Sequence, residues 1–238
     1  MRQAIVRSSN VYFIRLANEY SLDNEMANLY LATGMNIDYV GGYSFTDSHT
    51  PADRARIVQH WHDSSFVVRR KLYQDLRYPR RYRSEFSGLA WGQGQLTTTP
   101  IGLGRMAGAI ANGGLMQPSR YVVRRAGKPV PVAKGIALTQ QPAADLLREF
   151  MIEQSNPGGR AKIEGSRVAG KTGTPERMVM GEKRNDGWYV FFAPTPNGKS
   201  HTVTCVRMEL GESSADAVKL SNTIVAPILM ERGYLGSF

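Results

Sequence analysis

Gly170-Lys171-Thr172-Gly173-Thr174 closes the first of three short segments that the sequence predicts as β-strands, and these segments decide the fold. The strands are predicted over residues 167–172, 188–193 and 202–208. Asn185-Asp186-Gly187 and Asn197-Gly198 mark the turns between them. A helix over residues 215–231 follows. Helices on both sides of a strand–strand–strand unit predict an α+β fold, with an antiparallel sheet packed against helices.

Upstream of the strands, apolar residues recur at helical spacing. Helices are predicted over residues 4–20, with an interruption, and over 22–33, 101–112 and 143–154. Ser8-Ser9-Asn10 causes the interruption. Because Ser and Asn favour helix caps over helix interiors, one helix should end and another begin there. Thr99 and Pro100 supply a cap and a first-turn proline for the helix over 101–112.

Composition narrows the class of protein. Hydrophobic residues make up 42% of the 238 residues, which is globular composition, and the length fits one large domain or two small ones. The net charge of +10 suits an anionic partner without choosing among nucleic acid, a membrane surface and an acidic polymer. Cys205 is the single cysteine, which excludes intramolecular disulfides and cysteine-rich zinc sites. The sequence shows neither the apolar core of a signal peptide nor a run apolar enough to predict a membrane span.

The segment 170–174 also carries the clearest chemistry. It places a cation, two hydroxyls and a backbone patch without side chains along one strand edge. Lys171 can hold a carboxylate or assist proton transfer, and Gly173 lets a substrate backbone lie close. The N–H group of Thr174 can polarise a carbonyl if the strand edge is exposed. The alternative interpretation is an ordinary strand with a surface lysine.

Ser8-Ser9-Asn10 gains meaning when it is combined with this segment. Taken alone it is a helix cap. Ser-x-Asn followed much later by Lys-Thr-Gly gives two of the three motifs of penicillin-binding proteins and class A β-lactamases.

On these motifs the chain resembles the transpeptidase domain of high-molecular-mass penicillin-binding proteins. The resemblance runs from the first residues to the last helix and implies one transpeptidase-like domain over 1–238. It is carried by four stretches in the family's order: 3–13 (QAIVRSSNVYF), 92–114 (from GQGQL through TP to ANGG), 169–174 (AGKTGT) and 187–194 (GWYVFFAP). It implies a β-lactamase/transpeptidase-like fold. It also implies acyl transfer on D-Ala–D-Ala stem peptides of peptidoglycan, acylation by β-lactams, and no metal or organic cofactor.

The resemblance also assigns roles to single residues. Ser8 matches the serine that relays protons near the leaving group, and Asn10 matches the asparagine that contacts the substrate amide. Lys171 and Thr172 match the pair that orders the active-site hydroxyls and binds the substrate carboxylate. Thr174, after Gly173, matches the strand residue that contacts the substrate and gives one oxyanion N–H group.

The family's Ser-x-x-Lys motif, which supplies the nucleophile, is absent from the 238 residues. We therefore expect the C-terminal part of a transpeptidase domain, incomplete at its N-terminus, without the first strands of the sheet and inactive by itself. A truncated sequence, a split enzyme and a remnant without catalysis are the three explanations. The strand over 202–208 would then expose an unpaired edge, which predicts association with the missing part or with a second copy.

Several alternatives stay open. A D,D-carboxypeptidase or β-lactamase-like hydrolase would use the same motifs, and a non-catalytic module for wall peptides or partners would explain the absent nucleophile.

The basic stretch 69–83 could contact nucleic acid, wall polymer or lipid headgroups, although a solvated surface is the simpler interpretation. His60 and His62 lack a local third ligand, so no metal site is expected. By the resemblance, we expect the wall-facing side of the cytoplasmic membrane as the location.

Overall fold

The computed structural model describes residues 1–20, 22–33, 35–37, 88, 90–93, 96–120, 122–156 and 158–238. The chain divides into two compact units. One unit comprises Met1–Ser9 together with Thr99–Phe238, and the other comprises Asn10–Thr98. In chain order the elements are α1 (Arg2–Val6), α2 (Asn10–Glu19), α3 (Asp23–Thr33), β1 (Asn36–Ile37), β2 (Leu96–Thr97), α4 (Pro100–Ala111), β3 (Leu115–Met116), β4 (Arg124–Arg125), β5 (Lys128–Pro129), β6 (Ile136–Ala137), α5 (Gln141–Gln154), β7 (Ala169–Gly173), β8 (Glu176–Val179), β9 (Glu182–Asn185), β10 (Gly187–Pro194), β11 (His201–Met208), α6 (Ser214–Leu220), a π-helical turn (Ser221–Val225) and α7 (Ala226–Glu231). The prediction of a single domain over 1–238 stays a prediction.

The three predicted strands form one antiparallel sheet in the order β11-β10-β7. The α+β fold predicted from the sequence is therefore confirmed. In the ladder between β7 and β10, Lys171 lies opposite Val190 and Thr172 lies opposite Tyr189. β7 is one edge of this sheet and β11 is the other, since neither pairs with a further strand among the described residues.

Helices cover both faces of the sheet, because the side chains of β10 alternate between two apolar clusters. Tyr189, Phe191 and Ala193 are buried in a cluster with residues of α6 and α7. Phe192 and Val190 pack on the opposite face with residues of α4 and α5. β10 is thus buried on both sides, which explains why its sequence reads as a continuous apolar run.

Local sequence signals explain the helix ends. The Thr99 side chain accepts a hydrogen bond from the Gly102 N–H group at 3.1 Å, and Pro100 occupies the first turn of α4, as predicted. The closing helix was predicted as continuous, but a π-helical turn separates α6 from α7. Pro227 lies just after that turn and has no N–H group to continue the α-helical bonding.

One predicted turn is wrong. Asn185-Asp186-Gly187 does not connect the first two strands of the sheet directly, because a hairpin of β8 and β9 lies before it. Met180 and Gly181 form the turn of this hairpin, both with positive φ angles, as two-residue hairpin turns require. The hairpin is rich in charged residues, so its strands gave no apolar alternation that would reveal them.

Asp186, which was predicted as a turn residue, is instead a buried ionic centre at the base of this hairpin. Its carboxylate accepts hydrogen bonds from Arg207, with Nη2 at 2.7 Å, from Arg177 Nε at 3.0 Å and from the Leu210 N–H group at 3.0 Å. Burial alone would raise the pKa of Asp186, but these hydrogen bonds and the two guanidinium charges outweigh burial and lower it. The cluster joins the hairpin to β10 and β11.

Some sequence predictions fall outside the described residues, namely those for the basic stretch 69–83, His60 and His62. In the part of the chain that the structure describes, no helix has the length and apolar character of a membrane span.

We predict that Asp186→Ala lowers the free energy of unfolding by about 3 kcal/mol, because it leaves two guanidinium groups without their buried partner. Urea denaturation at pH 7 measures the loss. Glu182→Ala, which removes the exposed ion pair with Arg184, is the matched control and should change stability by less than about 1 kcal/mol. Since the pKa of Asp186 is lowered from 3.8, the difference between wild type and Asp186→Ala should shrink as the pH falls below that value. Equal losses in the two variants would contradict this role.

Candidate active site

Ser8 lies just after the end of α1, as the sequence predicted for the Ser8-Ser9-Asn10 interruption. The Ser9 N–H group donates to the Ala4 carbonyl at 2.8 Å and the Ser8 N–H group donates to the Ile5 carbonyl at 3.2 Å. This is the Schellman arrangement of a helix C-terminus, in which glycine is the preferred residue at the position of Ser8. Ser8 has φ 54°, a left-handed conformation that costs a non-glycine residue about 1 kcal/mol. The side chain is therefore held in a specific place at a cost in backbone energy.

Lys171 reaches Ser8 from the sheet. Its Nζ atom donates hydrogen bonds to Ser8 Oγ at 2.5 Å and to the Thr172 carbonyl at 2.8 Å. Lys171 shares a sheet face with Val190, its partner in the ladder, and that face packs against α4 and α5. α1 packs against α5, so the two helices bring Ser8 to the face on which Lys171 lies.

The environment changes the acidity of Lys171. Burial of the ammonium group lowers the pKa of Lys171 from 10.5 to about 8, and the positive charge of Arg160 contributes. At pH 7 the group is still mostly protonated, but it lies close to the pH at which it releases a proton. An amine with such a pKa can both hold an anion and exchange a proton near neutral pH.

On the sheet face that carries Lys171, the described residues leave room at Gly173. Among the described residues, a Cβ atom on Gly173 would meet only Trp188 Cβ, at an ordinary distance of 3.8 Å. A Cβ atom on Gly170 would come within 2.7 Å of both Ser155 Oγ and Tyr189 Oη. Gly170 is thus required by the packing of the protein itself, whereas at Gly173 the described residues leave the space open.

The remaining predicted residues lie close by or in the other unit. Thr174 directly follows β7, and its Oγ1 atom accepts a hydrogen bond from the Ser214 N–H group at 3.0 Å, which ties the strand end to the start of α6. The Thr172 backbone accepts from Lys171, as above. Asn10 begins α2 in the smaller unit and is exposed. The structure therefore brings Ser8 together with the segment 170–174 within one unit.

Two residues of this site were missed by sequence reasoning. Gln154, the last residue of α5, is buried and donates from Nε2 to Ser8 Oγ at 3.2 Å. Arg160 acts on Lys171 through its charge. The sequence did hold a signal for Gln154, because it is a polar residue on the same buried face of α5 as Phe150 and Met151. Nothing in the sequence around Arg160 singled it out.

Metal binding finds no support in the described ranges, where no three His, Cys, Asp or Glu side chains are grouped to hold an ion. Cys205 is half-buried on β11, and burial raises the pKa of its thiol to about 11, so it is protonated at neutral pH.

The chain was compared with models of protein families. The model of the penicillin binding protein transpeptidase domain matches residues 1–230. Comparison with curated proteins gives no match.

Solved structures with the same fold extend this comparison. The transpeptidase domain of Burkholderia pseudomallei penicillin-binding protein 3 is 20% identical, with a TM-score of 0.63, and the match covers 98% of this chain and 64% of that chain. Pseudomonas aeruginosa penicillin-binding protein 2, solved with WCK 5153, is 25% identical, with a TM-score of 0.63. That match covers 98% of this chain and 50% of the Pseudomonas chain. Penicillin-binding protein A of Mycobacterium tuberculosis, solved as a ceftriaxone acyl-enzyme, is 18% identical, with a TM-score of 0.60. That match covers 98% of this chain and 48% of the Mycobacterium chain. The chain thus spans less than two-thirds of the length of these structures.

We predict that Lys171 titrates with a midpoint near pH 8, followed by NMR of lysine labelled with ¹³C at Cε and assigned with Lys171→Arg. Arg160→Gln should raise the midpoint, since it removes a positive charge that favours the neutral amine. Arg167→Gln, an exposed arginine outside this set of charges, is the control and should leave the midpoint unchanged. A wild-type midpoint near 10.5 would show that Lys171 is not buried beside Ser8.

Proposed function

The chain belongs to the penicillin-binding protein transpeptidase domain family, and we propose that it forms the Ser8–Lys171 side of the active site of a serine D,D-transpeptidase. Such an enzyme cross-links the stem peptides of peptidoglycan through an acyl-enzyme and is acylated by β-lactams. The hydrogen bond between Lys171 Nζ and Ser8 Oγ, beside the edge of β7 that no described strand pairs with, is the observation that carries the proposal. It joins two motifs that are 163 residues apart in the sequence.

Binding of the substrate follows from the chemistry of the strand edge. An extended peptide that ends in D-Ala–D-Ala can add to the edge of β7 as a further strand, with its backbone close to Gly173. Its terminal carboxylate is then held by the Lys171 ammonium and the hydroxyl of Thr172. The N–H group of Thr174 is proposed to donate a hydrogen bond to the carbonyl oxygen under attack, as the family resemblance implies.

Departure of the leaving D-Ala requires a proton. When the tetrahedral intermediate collapses, the C–N bond breaks and its electron pair goes to the nitrogen. In the proposal, that nitrogen takes the proton of the Ser8 hydroxyl while Ser8 Oγ takes a proton from the Lys171 ammonium. The balance is one proton lost by Lys171 and one gained by the leaving amine, and a lysine pKa of about 8 suits this exchange. Asn10 is proposed to contact the substrate amide, by its place in the Ser-x-Asn motif.

The attacking serine belongs to the Ser-x-x-Lys motif of the family, which the 238 residues do not contain. We assign acylation to a protein in which that motif completes the site. The M. tuberculosis neighbour was solved as a ceftriaxone acyl-enzyme. By the same proposal, the edge of β11, which pairs with no further strand among the described residues, is where an additional strand or a second copy would pair. The enzyme acts on the wall-facing side of the cytoplasmic membrane.

A non-catalytic module that binds wall peptides is the second candidate, and the absence of Ser-x-x-Lys favours it. Both candidates bind the same peptide at β7, so peptide binding tests what they share. They differ in whether a protein with the completing motif is acylated by penicillin.

We predict that a peptide ending in D-Ala–D-Ala binds this chain without covalent reaction. It should shift the NMR amide signals of residues 171–174, and its affinity should fall as the pH rises through about 8, because the Lys171 ammonium loses its charge. Lys171→Met should weaken binding about tenfold or more, as expected for the loss of a charged hydrogen bond. Lys199→Met removes the same charge from an exposed loop and is the matched control.

Three further results would decide between outcomes. Equal affinity for the stereoisomer ending in L-Ala–L-Ala would contradict stem-peptide recognition. Equal effects of Lys171→Met and Lys199→Met would show that only net charge attracts the peptide. Incubation with a fluorescent penicillin should give no covalent adduct by intact mass, and a stoichiometric adduct would overturn the assignment of the nucleophile.

A further inference from the structure

Gln154 lies at the end of α5 with its side-chain amide directed at the end of α1. Only 1% of the residue is exposed. Its Nε2 atom lies 3.4 Å from the Ile5 carbonyl oxygen, 3.3 Å from the Val6 carbonyl oxygen and 3.2 Å from Ser8 Oγ. The amide thus links the α5 terminus to the left-handed residue that carries the site hydroxyl.

The chemistry of these partners fixes the orientation of the amide. Carbonyl oxygens only accept hydrogen bonds, so the group that faces Ile5 and Val6 must be the NH₂ group. A flipped amide would set its own oxygen against both carbonyl oxygens. Nε2 has two hydrogens, and if the two carbonyls share one of them, the other is directed at Ser8.

Ser8 Oγ therefore accepts two hydrogen bonds, one from Gln154 Nε2 and one from Lys171 Nζ. A hydroxyl has two acceptor lone pairs and a single proton. With both lone pairs occupied by donors, the Ser8 proton points toward neither Gln154 nor Lys171. It is left to a third acceptor.

We propose that Gln154 is a positioning residue that fixes the direction in which the Ser8 hydroxyl donates its proton. By occupying one lone pair of Ser8 Oγ, it keeps Ser8 an acceptor toward Lys171 and a donor away from it. The identity of that third acceptor, the leaving nitrogen of the substrate, rests on the proposed function, whereas the hydrogen-bond direction does not. Ser8 is thereby held as the middle member of a relay that runs outward from Lys171.

Removing the amide should release this constraint. In Gln154→Leu the Ser8 hydroxyl is free to rotate and to donate its proton to Lys171 when the amine is neutral. The neutral amine is then stabilised, and the affinity of Lys171 for a proton falls. Arg160, whose positive charge also lowers the pKa of Lys171, is unchanged in this comparison.

A double-mutant cycle on the titration of Lys171 tests the proposal without substrate. The four proteins are wild type, Gln154→Leu, Ser8→Ala and the double variant, each followed by NMR of lysine labelled at Cε. Gln154→Leu should lower the titration midpoint of Lys171 by about 0.5 pH units or more, which is a roughly threefold or greater fall in proton affinity. In the Ser8→Ala background the same substitution should have no effect, because the hydroxyl through which it acts is gone.

The controls separate this role from packing. Gln140→Leu makes the same chemical change at the exposed start of the same helix and should leave the midpoint unchanged. Gln154→Met, which keeps an unbranched side chain of similar length, replaces Gln154→Leu if the leucine variant does not fold. An equal shift with and without the Ser8 hydroxyl would overturn the proposal, because it would show that Gln154 acts on Lys171 through polarity alone. No shift in either background would overturn it as well. Neither outcome depends on peptide binding, so failure of the proposed function would be recognised separately.

Discussion

Lys171 lies opposite Val190 in the antiparallel ladder, and the site depends on this register between β7 and β10. Side chains alternate across a strand, so a slip by one residue would send Lys171 to the face covered by α6 and α7. Phe192 and Tyr189 prevent such a slip, because each is fully buried on a different face of the sheet. The apolar core of the protein thereby selects the face on which its buried lysine meets Ser8.

The other half of the site is held by helix packing and by backbone strain. α1 rests on α5, and the end of α1 turns through Ser8 in a conformation that favours glycine. A glycine there would relieve the backbone and remove the hydroxyl. The two sides meet where a cation is partly shielded from water, and burial together with Arg160 lowers the pKa of Lys171 toward neutral pH. A buried amine between a hydroxyl and a carbonyl oxygen is the kind of group that both binds anions and passes protons.

The sequence alone predicted the sheet, the main helices, and the residues Ser8 and Lys171 that the structure brings together. These features were accessible because turn residues, caps and apolar periodicity are local signals, and because the two motifs keep their order. The hairpin of β8 and β9 was missed, since exposed charged strands carry no apolar alternation. Gln154 and Asp186 were also missed as interaction centres. Their importance comes from burial beside partners distant in the sequence, such as Val6 for Gln154, which no local pattern records.

The most direct test of the account is a crystal structure of this chain with a peptide ending in D-Ala–D-Ala. The account predicts that Lys171 Nζ and Ser8 Oγ remain in hydrogen-bond contact and that the peptide extends along β7. Its carboxylate should lie on Lys171 and Thr172, with its backbone beside Gly173. A peptide bound elsewhere, or an Nζ atom of Lys171 turned away from Ser8 into solvent, would contradict the central claim that this strand edge and helix end form one site.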